Sequence, residues 1–405
     1  MKCGLLGEKL GHSYSPQIHA ALSDYEYLLY EKKPDEVEKF IRCGDWHGLN
    51  VTIPYKKTVI PFCSELSELA LSIGSVNTLL RCPDGRIQGY NTDAFGFEAM
   101  LRAASYSAAG KKALVLGTGG ASATVCACLR HHGAKVVTVS RTGETNYNNV
   151  TKHTDACLVV NTTPLGMYPN NGTQALDLSL FPNLQAVLDV VYNPARTALI
   201  MQAEKLGIPC SGGLRMLVAQ GIRASEIFLG HRHPDDALER ILSSLNHEMQ
   251  NLILIGMPGS GKSTIASLLS KKLNRPCIES DMEIEHIAGM SIPDIFEKEG
   301  EEGFRQRETA VLEELGKRSG LIISTGGGCV TRPENYPLLH QNGMIVRITR
   351  DLSKLAREGR PLSLNSDLKQ MALLREPYYT AFADYTIENT GTPEDTADRI
   401  LEVLK

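Results

Sequence analysis

The feature that most constrains this chain is the stretch Leu252 to Thr264, LILIGMPGSGKST. The apolar run Leu252 to Ile255 has the length and composition of a buried strand. Gly256, Gly261, Lys262 and Ser263 then satisfy G-x-x-x-x-G-K-[ST], and Ile265 to Leu273 follows with the periodicity of an amphipathic helix. Phosphates need this order. Glycines let backbone N–H groups turn inward around an anion, and the helix N-terminus adds partial positive charge. Lys262 reaches the outer phosphates and Ser263 can ligate Mg²⁺, so Gly259, Ser260, Gly261, Lys262, Ser263 and Thr264 are the expected nucleotide-binding residues. A chance glycine turn has no reason to carry strand and helix in register. The loop also lies well past the middle of 405 residues, which requires something else to fold ahead of it.

That length suits two or three domains. The apolar fraction of 42% and charged fraction of 22% are those of an ordinary water-exposed protein. Net charge is −4 with no basic or acidic block, which argues against nucleic acid or a membrane surface as partner. The ten cysteines contain no C-x-x-C pair; Cys126 and Cys128 are too close for a zinc knuckle. Unpaired thiols at this density point to a reducing, cytoplasmic compartment. No signal core and no membrane-length apolar run is present. Nothing in the sequence specifies an oligomeric state.

The first hundred residues carry several weak signals. In GHSYSPQIHAAL, Ser13 and Ser15 precede or flank Pro16 at a helix start, where hydroxyls cap the helix or hold a carboxylate. In GLNVTIPYKK a strand carries Asn50, Val51 and Thr52, Pro54 breaks it, and Lys56 follows; a lone lysine there is ordinarily a solvated surface charge. IGSVNTLL places Asn77 and Thr78 in another strand. GYNTDAFGF sets Asn91, Thr92 and Asp93 before a helix that Asp93 can cap.

Together, H-S-x-S-P, N-V-T-x-P-x-K, G-x-V-N-T and G-x-N-T-D-x-x-G, in this order, resemble the shikimate dehydrogenase family, and the resemblance continues to about residue 245. It implies that Ser13 and Ser15 bind the substrate carboxylate, that Thr52, Asn77 and Asp93 bind ring hydroxyls, and that Lys56 and Asp93 are the catalytic pair. Hydride transfer to a ketone develops negative charge on oxygen, and a lysine held by an aspartate can protonate it. Glu8, Lys9 and Leu10 depart from the family's x-Pro-Ile without removing a polar ligand.

Lys111 to Thr142 reads as a βαβ unit. Ala113 to Leu116 is a strand, and Gly117, Gly119 and Ser122 fit G-x-G-x-x-[small] with Gly120 as an extra glycine. Ala121 to His131 is the helix and Lys135 to Ser140 the second strand. The expected dinucleotide contacts are Gly117, Gly119, Gly120, Ala121, Ser140, Arg141 and Thr142. An arginine at 141, where NAD-binding units put an acid, favours the 2′-phosphate of NADP(H); Gly143 and Glu144 soften that preference. Val159 to Met167 and Val187 to Leu199 read as later strands. The resemblance further implies Val190, Gly213 and Met216 beside the nicotinamide, with Tyr192 and Gln220 toward the substrate; core packing is the plain alternative for Met216.

After the phosphate loop, CIESDMEIEH, EKEGEEGFRQRE, LIISTGGGCV, REGRPLS and LLREPYY resemble shikimate kinase over the remaining chain. The resemblance implies that Asp281, Arg305, Gly327 and Arg375 bind shikimate, with Asp281 taking the proton of the attacking hydroxyl. Arg360 in a lid would close on the phosphates of ATP, and Arg357 would lie near adenine. Arg307 and Glu308 read as surface salt-bridge residues. Glu279 stands where the family has an aspartate supporting Mg²⁺, and only Glu358 and Gly359 separate the two lid arginines.

The expected architecture is α/β throughout: an open substrate-binding sheet over 1–100 closed by a helix at 225–246, a Rossmann dinucleotide-binding domain at 101–224, a linker at 247–250, and a P-loop kinase domain at 251–405. The expected function is a bifunctional enzyme of aromatic amino-acid biosynthesis. It reduces 3-dehydroshikimate to shikimate with NADPH, then forms shikimate 3-phosphate with ATP and Mg²⁺. Two alternatives stand beside it. One is an NAD-using quinate/shikimate dehydrogenase in the first half; the other has one half reduced to a ligand-binding or regulatory module.

Overall fold

The computed structural model describes residues 1–11, 13–355 and 368–404. Arg357 and Arg360 lie outside the described residues. The chain forms two units, Met1–Ser244 and Leu245–Lys405.

The first unit holds two sheets. The N-terminal one contains β1 (Lys2–Gly7), β2 (Glu26–Glu31), β3 (Gly48–Val51), β4 (Glu65–Leu66), β5 (Thr78–Arg81) and β6 (Ile87–Tyr90), in the order β2-β1-β3-β5-β6-β4. It is mixed: β1 runs parallel to β2 and β3, whereas β5 is antiparallel to both β3 and β6. The central β3 is buried at every position, and β2 at the edge is mostly exposed. Thr52 and Asn77, expected inside strands, each stand one residue beyond the strand end.

The second sheet contains β7 (Lys112–Leu116), β8 (Lys135–Val139), β9 (Leu158–Asn161), β10 (Ala186–Asp189) and β11 (Cys210–Ser211), in the order β11-β10-β9-β7-β8 and parallel throughout. Parallel strands are covered on both faces, which is why LVVN and AVLD are buried end to end. The order reverses between β7 and β9, and such a reversal opens a crevice at the strands' carboxyl ends.

Two long helices join the sheets. Asp93–Ala103 packs along Leu214–Leu229 at close range: a Cβ on Gly96 would lie 2.6 Å from the Met216 carbonyl oxygen. The expected boundaries at 100/101 and 224/225 both fall inside these helices, because the same two elements serve both sheets.

The second unit is built on β12 (Asn251–Ile255), β13 (Cys277–Glu279), β14 (Ile322–Ser324), β15 (Gly343–Thr349) and β16 (Tyr385–Glu388). They form an all-parallel sheet ordered β13-β14-β12-β15-β16. β12 is central and fully buried, so the loop after it opens between neighbours on both sides. The expected linker at 247–250 is not a free segment. The helix Ala237–Met249 runs through it, and the Met249 and Gln250 carbonyls accept from Gly320 N–H (2.8 Å) and Arg275 Nη1 (3.1 Å) within the second unit.

Candidate active sites

In the first unit the motifs converge where β3, β5 and the helix Asp93–Ala103 meet. Lys56 Nζ lies 2.6 Å from Asp93 Oδ2. The helix begins at Asp93 with Thr92 in the capping position, so the Asp93 carboxylate is not the cap and is free to turn to Lys56. Asn77 holds the other carboxylate oxygen: its Nδ2 donates to Asp93 Oδ1 at 2.8 Å. The orientation of that amide is set from behind, since Asn77 Oδ1 accepts from Thr92 N–H at 2.7 Å and from the Thr78 hydroxyl at 3.1 Å. Asn50 extends this buried network by donating to Thr78 Oγ1 at 3.3 Å and accepting from the Tyr27 hydroxyl at 2.8 Å.

Ser13 and Ser15 bracket the start of the helix Ser15–Ala20, and Ser13 Oγ accepts from Ser15 N–H at 3.2 Å. Tyr192 comes from beyond β10 and meets Tyr14 edge to face, with ring centroids 5.9 Å apart, which brings it beside the two serines. Gln220 faces Thr92 from the helix Leu214–Leu229, 3.5 Å from its hydroxyl. Thr52 follows β3 directly and its N–H donates to Leu6 carbonyl at 2.9 Å. Lys56, Asp93, Asn77 and Gln220 are thus joined through Thr92, and Ser13, Ser15 and Tyr192 gather around Tyr14.

The crevice of the second sheet carries the glycine turn. Gly117 has φ 106°, and a Cβ there would come within 2.9 Å of Thr163 at the end of β9. Ser122 donates to Gly117 carbonyl at 2.7 Å, which fastens the turn to its helix. A Cβ on Gly119 or Gly120 would meet nothing within 4 Å, so that side of the turn is open, and the helix starts at Gly120. Ala121 follows on the helix. Ser140, Arg141 and Thr142 leave β8 at the same edge, the last two exposed. This open glycine turn with a cation at the strand end fits an NADP dinucleotide.

Val190 and Gly213 are in direct contact; a Cβ on Gly213 would overlap the Val190 carbonyl at 2.1 Å. Met216 packs into the core with Phe97 and Met100. Beneath this turn lies Asp189, which sequence reasoning passed over. It is fully buried and accepts from Asn161 Nδ2 (3.0 Å), Val191 N–H (3.0 Å) and Thr197 Oγ1 (2.7 Å). Burial pushes its carboxyl up to about 6 against the pull of those three donors.

In the second unit a cavity of about 540 Å³ is lined by Lys262, Ser263, Glu279, Asp281, Arg305, Glu308, Gly326 to Gly328 and Arg375. Three glycines of the loop, Gly256, Gly259 and Gly261, have φ of 146°, 84° and 101°, which a side chain rarely adopts. The helix begins at Lys262, whose Nζ folds back to the Gly256 and Met257 carbonyls at 2.9 and 3.1 Å; Thr264, two residues on, is exposed. Ser263 Oγ donates to Glu279 Oε2 at 2.8 Å. That pair of hard oxygen donors beside the loop fits Mg²⁺.

Arg305 and Glu308 form a buried ion pair at 2.7 Å, with Glu308 0% exposed. Glu308 is therefore no surface residue, and the expectation from sequence is corrected: one turn of helix separates it from Arg305, and both face the cavity. Burial pushes its carboxyl upward and Arg305 pulls it back. Arg307, in contrast, pairs at the surface with Glu299 at 2.7 Å, as expected. At Gly326 and Gly328 a side chain would displace the charged groups of the cavity. A Cβ on Gly326 would lie 2.7 Å from Asp281 Oδ1 and 2.8 Å from Glu308 Oε1; on Gly328 it would strike Arg305 at 2.2 Å. Arg375 Nη1 and the Tyr379 hydroxyl both donate to Gly327 carbonyl, at 3.1 and 2.5 Å.

Comparison with known proteins bears on both units. Residues 5–79 match the shikimate dehydrogenase substrate binding domain, and residues 258–405 match shikimate kinase. The chain is 37% identical over 264 residues to a shikimate dehydrogenase (NADP(+)) of Clostridium perfringens, covering 60% of this chain and 97% of that relative. It is 33% identical over 270 residues to one from Methanosarcina barkeri, covering 58% and 95%. Among solved structures, the chorismate mutase/shikimate 5-dehydrogenase fusion protein of Clostridium acetobutylicum superposes with a TM-score of 0.57 at 32% identity, covering 60% of this chain and 96% of that one. The shikimate 5-dehydrogenase of Thermus thermophilus, solved with NADP(H) and shikimate, gives 0.53 at 30% identity, covering 60% and 98%. Among the described residues no helix is long and apolar enough to cross a membrane.

Proposed function

Because this chain belongs to the shikimate dehydrogenase family over its N-terminal region and carries a shikimate kinase domain behind it, we propose one polypeptide that forms shikimate and then phosphorylates it. The first half reduces 3-dehydroshikimate with NADPH; the second transfers a phosphoryl group from ATP to the 3-hydroxyl. Both steps belong to aromatic amino-acid biosynthesis, and the ten unpaired thiols suit the cytoplasm.

The observation that carries the first activity is the Lys56–Asp93 contact, with Asn77 on the other carboxylate oxygen. Reduced nicotinamide supplies the hydride when bound. The Lys56 ammonium gives its proton to the carbonyl oxygen as charge grows there, and in the reverse direction takes it from the hydroxyl. Asp93 holds the ammonium in place and, with Asn77 and Thr52, orients ring hydroxyls. Ser13 and Ser15 hold the carboxylate, with Tyr192 and Gln220 closing the sides. Val190, Gly213 and Met216 shape the wall on the nicotinamide side.

The second activity rests on one cavity that combines a phosphate loop with Asp281, Arg305, Glu308 and Arg375. Arg305 and Arg375 fork onto the shikimate carboxylate. Glu308 keeps Arg305 charged and oriented. Gly327 brings the backbone close to the ring, and Asp281 accepts the proton of the attacking hydroxyl. Lys262 and the loop N–H groups hold the phosphates. Ser263 and Glu279 would hold Mg²⁺, which neutralises phosphate charge when bound.

A coupled assay tests the whole reading. Given 3-dehydroshikimate, NADPH and ATP–Mg²⁺, the chain should consume NADPH and accumulate shikimate 3-phosphate, with NADH a poorer reductant. Accumulation of shikimate alone would remove the kinase assignment. Equal rates with NADH would remove the role given to Arg141.

A further inference from the structure

One side chain joins the phosphate loop to a residue 129 positions away. Asn389 stands directly after β16, and its Nδ2 donates to the Ser260 carbonyl at 2.7 Å. Its Oδ1 accepts from Thr396 Oγ1 at 3.0 Å, and Thr396 is fully buried in the first turns of the helix Pro393–Val403. Its backbone N–H donates to the Thr349 carbonyl at 2.7 Å, at the end of β15. The Ser260 carbonyl can only accept, so it takes the NH₂ end of the amide, and the Thr396 hydroxyl donates to the oxygen end. Gly261 makes the approach possible: a Cβ there would lie 2.5 Å from Asn389 Nδ2.

A trans peptide carries its C=O and the following N–H on opposite sides of the plane. With the Ser260 carbonyl tied to Asn389, the Gly261 N–H must point the other way, away from the Asn389 amide. The positive φ at Gly261 permits that plane to be held without strain. We infer that Asn389 is a positioning residue for phosphate binding: by fixing the Ser260 carbonyl it aims the Gly261 N–H at the phosphates of the nucleotide. The inference rests on reading Gly256 to Ser263 as the ATP phosphate loop. Its physical content is preorganisation. A donor already aimed at the anion loses no free energy to reorientation when the anion arrives.

The test uses the full chain. Asn389→Leu keeps the branched shape and removes the amide; Asn389→Asp sets an acceptor against the Ser260 carbonyl. Both should raise the KM for ATP roughly 10- to 100-fold, the size of one lost charge-assisted hydrogen bond. The KM for shikimate and the dehydrogenase rate should stay at wild-type values. Thr396→Val, which frees the amide to rotate, should shift the ATP KM in the same direction by less. Calorimetric titration with ADP should show the same ranking. An ATP KM within twofold of wild type in both Asn389 variants would overturn the inference. So would an equal rise in the shikimate KM, since that marks a general loosening of the fold. Wild type must bind ADP and Lys262→Ala must lose it; failure there overturns the phosphate-loop reading and this inference with it.

Discussion

At the scale of single residues, two side chains make separate demands. Among the described residues Lys56 pairs with one carboxylate, Asp93, and the proposed function gives it the proton for the ketone oxygen. Lys56→Ala should lower dehydrogenase turnover by about 10²- to 10⁴-fold, the usual loss of a positioned acid–base group, with kinase turnover unchanged. Steady-state rates of both reactions on one preparation decide it; a near wild-type dehydrogenase rate would refute the assignment. His19 lies outside the proposed chemistry and ties stability to pH. It is buried, stacked on Tyr27 at 3.9 Å, with Nδ1 2.5 Å from the Tyr25 hydroxyl, and burial pushes its imidazole down to about 3. The unfolded chain binds this proton near 6.5 and the folded one only near 3. Between those values the unfolded state carries more protons. The contribution is therefore fully present above about 6.5 and is lost as pH falls toward 3, at up to about 1.4 kcal/mol per pH unit. His19→Gln cannot titrate, so its melting temperature should depend less steeply on pH across that window. Parallel curves for variant and wild type would remove His19 from the account.

At the scale of elements, the contact between Asp93–Ala103 and Leu214–Leu229 is the one to probe. These helices carry Asp93 and Gln220, two of the residues proposed to hold the substrate. Gly96 lies at the crossing, with the Met216 carbonyl oxygen 2.6 Å from where a Cβ would stand. Gly96→Val must push the helices apart. It should destabilise the first unit by roughly 1–3 kcal/mol and raise the KM for 3-dehydroshikimate. Thermal melts and kinetics measured together check this, and a variant with both unaltered would show that the crossing tolerates a side chain. The G-x-N-T-D-x-x-G motif contains Gly96, so the need for a glycine was visible in the sequence. The partner that requires it was not, because Met216 is brought there only by the fold.

At the scale of the whole molecule, the two units can be asked to stand apart. The residues read as a linker are helical to Met249. His247, Met249 and Gln250 bond to Arg275 and Gly320, so the second unit needs them. A fragment beginning at Leu245 should fold and phosphorylate shikimate, whereas one beginning at Asn251 should melt earlier, since it leaves Arg275 and the Gly320 N–H without these partners. Comparing the cooperative melts and turnover of the two fragments tests this, and equal stability would show the helix end to be dispensable. The same division separates what was legible from what was not. The phosphate loop and the dinucleotide turn were legible in the sequence, because each is written in a few consecutive residues whose backbone chemistry is local; Lys56 and Asp93, 37 positions apart, were paired only by the family resemblance of their motifs. It took the folded chain to show that Glu308 is a buried partner of Arg305, that Asp189 pins the Val191 N–H, and that Asn389 holds Ser260 from 129 positions away. An i,i+3 charge pair has the same spacing on a surface as in a core. A buried polar atom takes its partner from whatever strand or helix packing places beside it, and that choice is made by the fold.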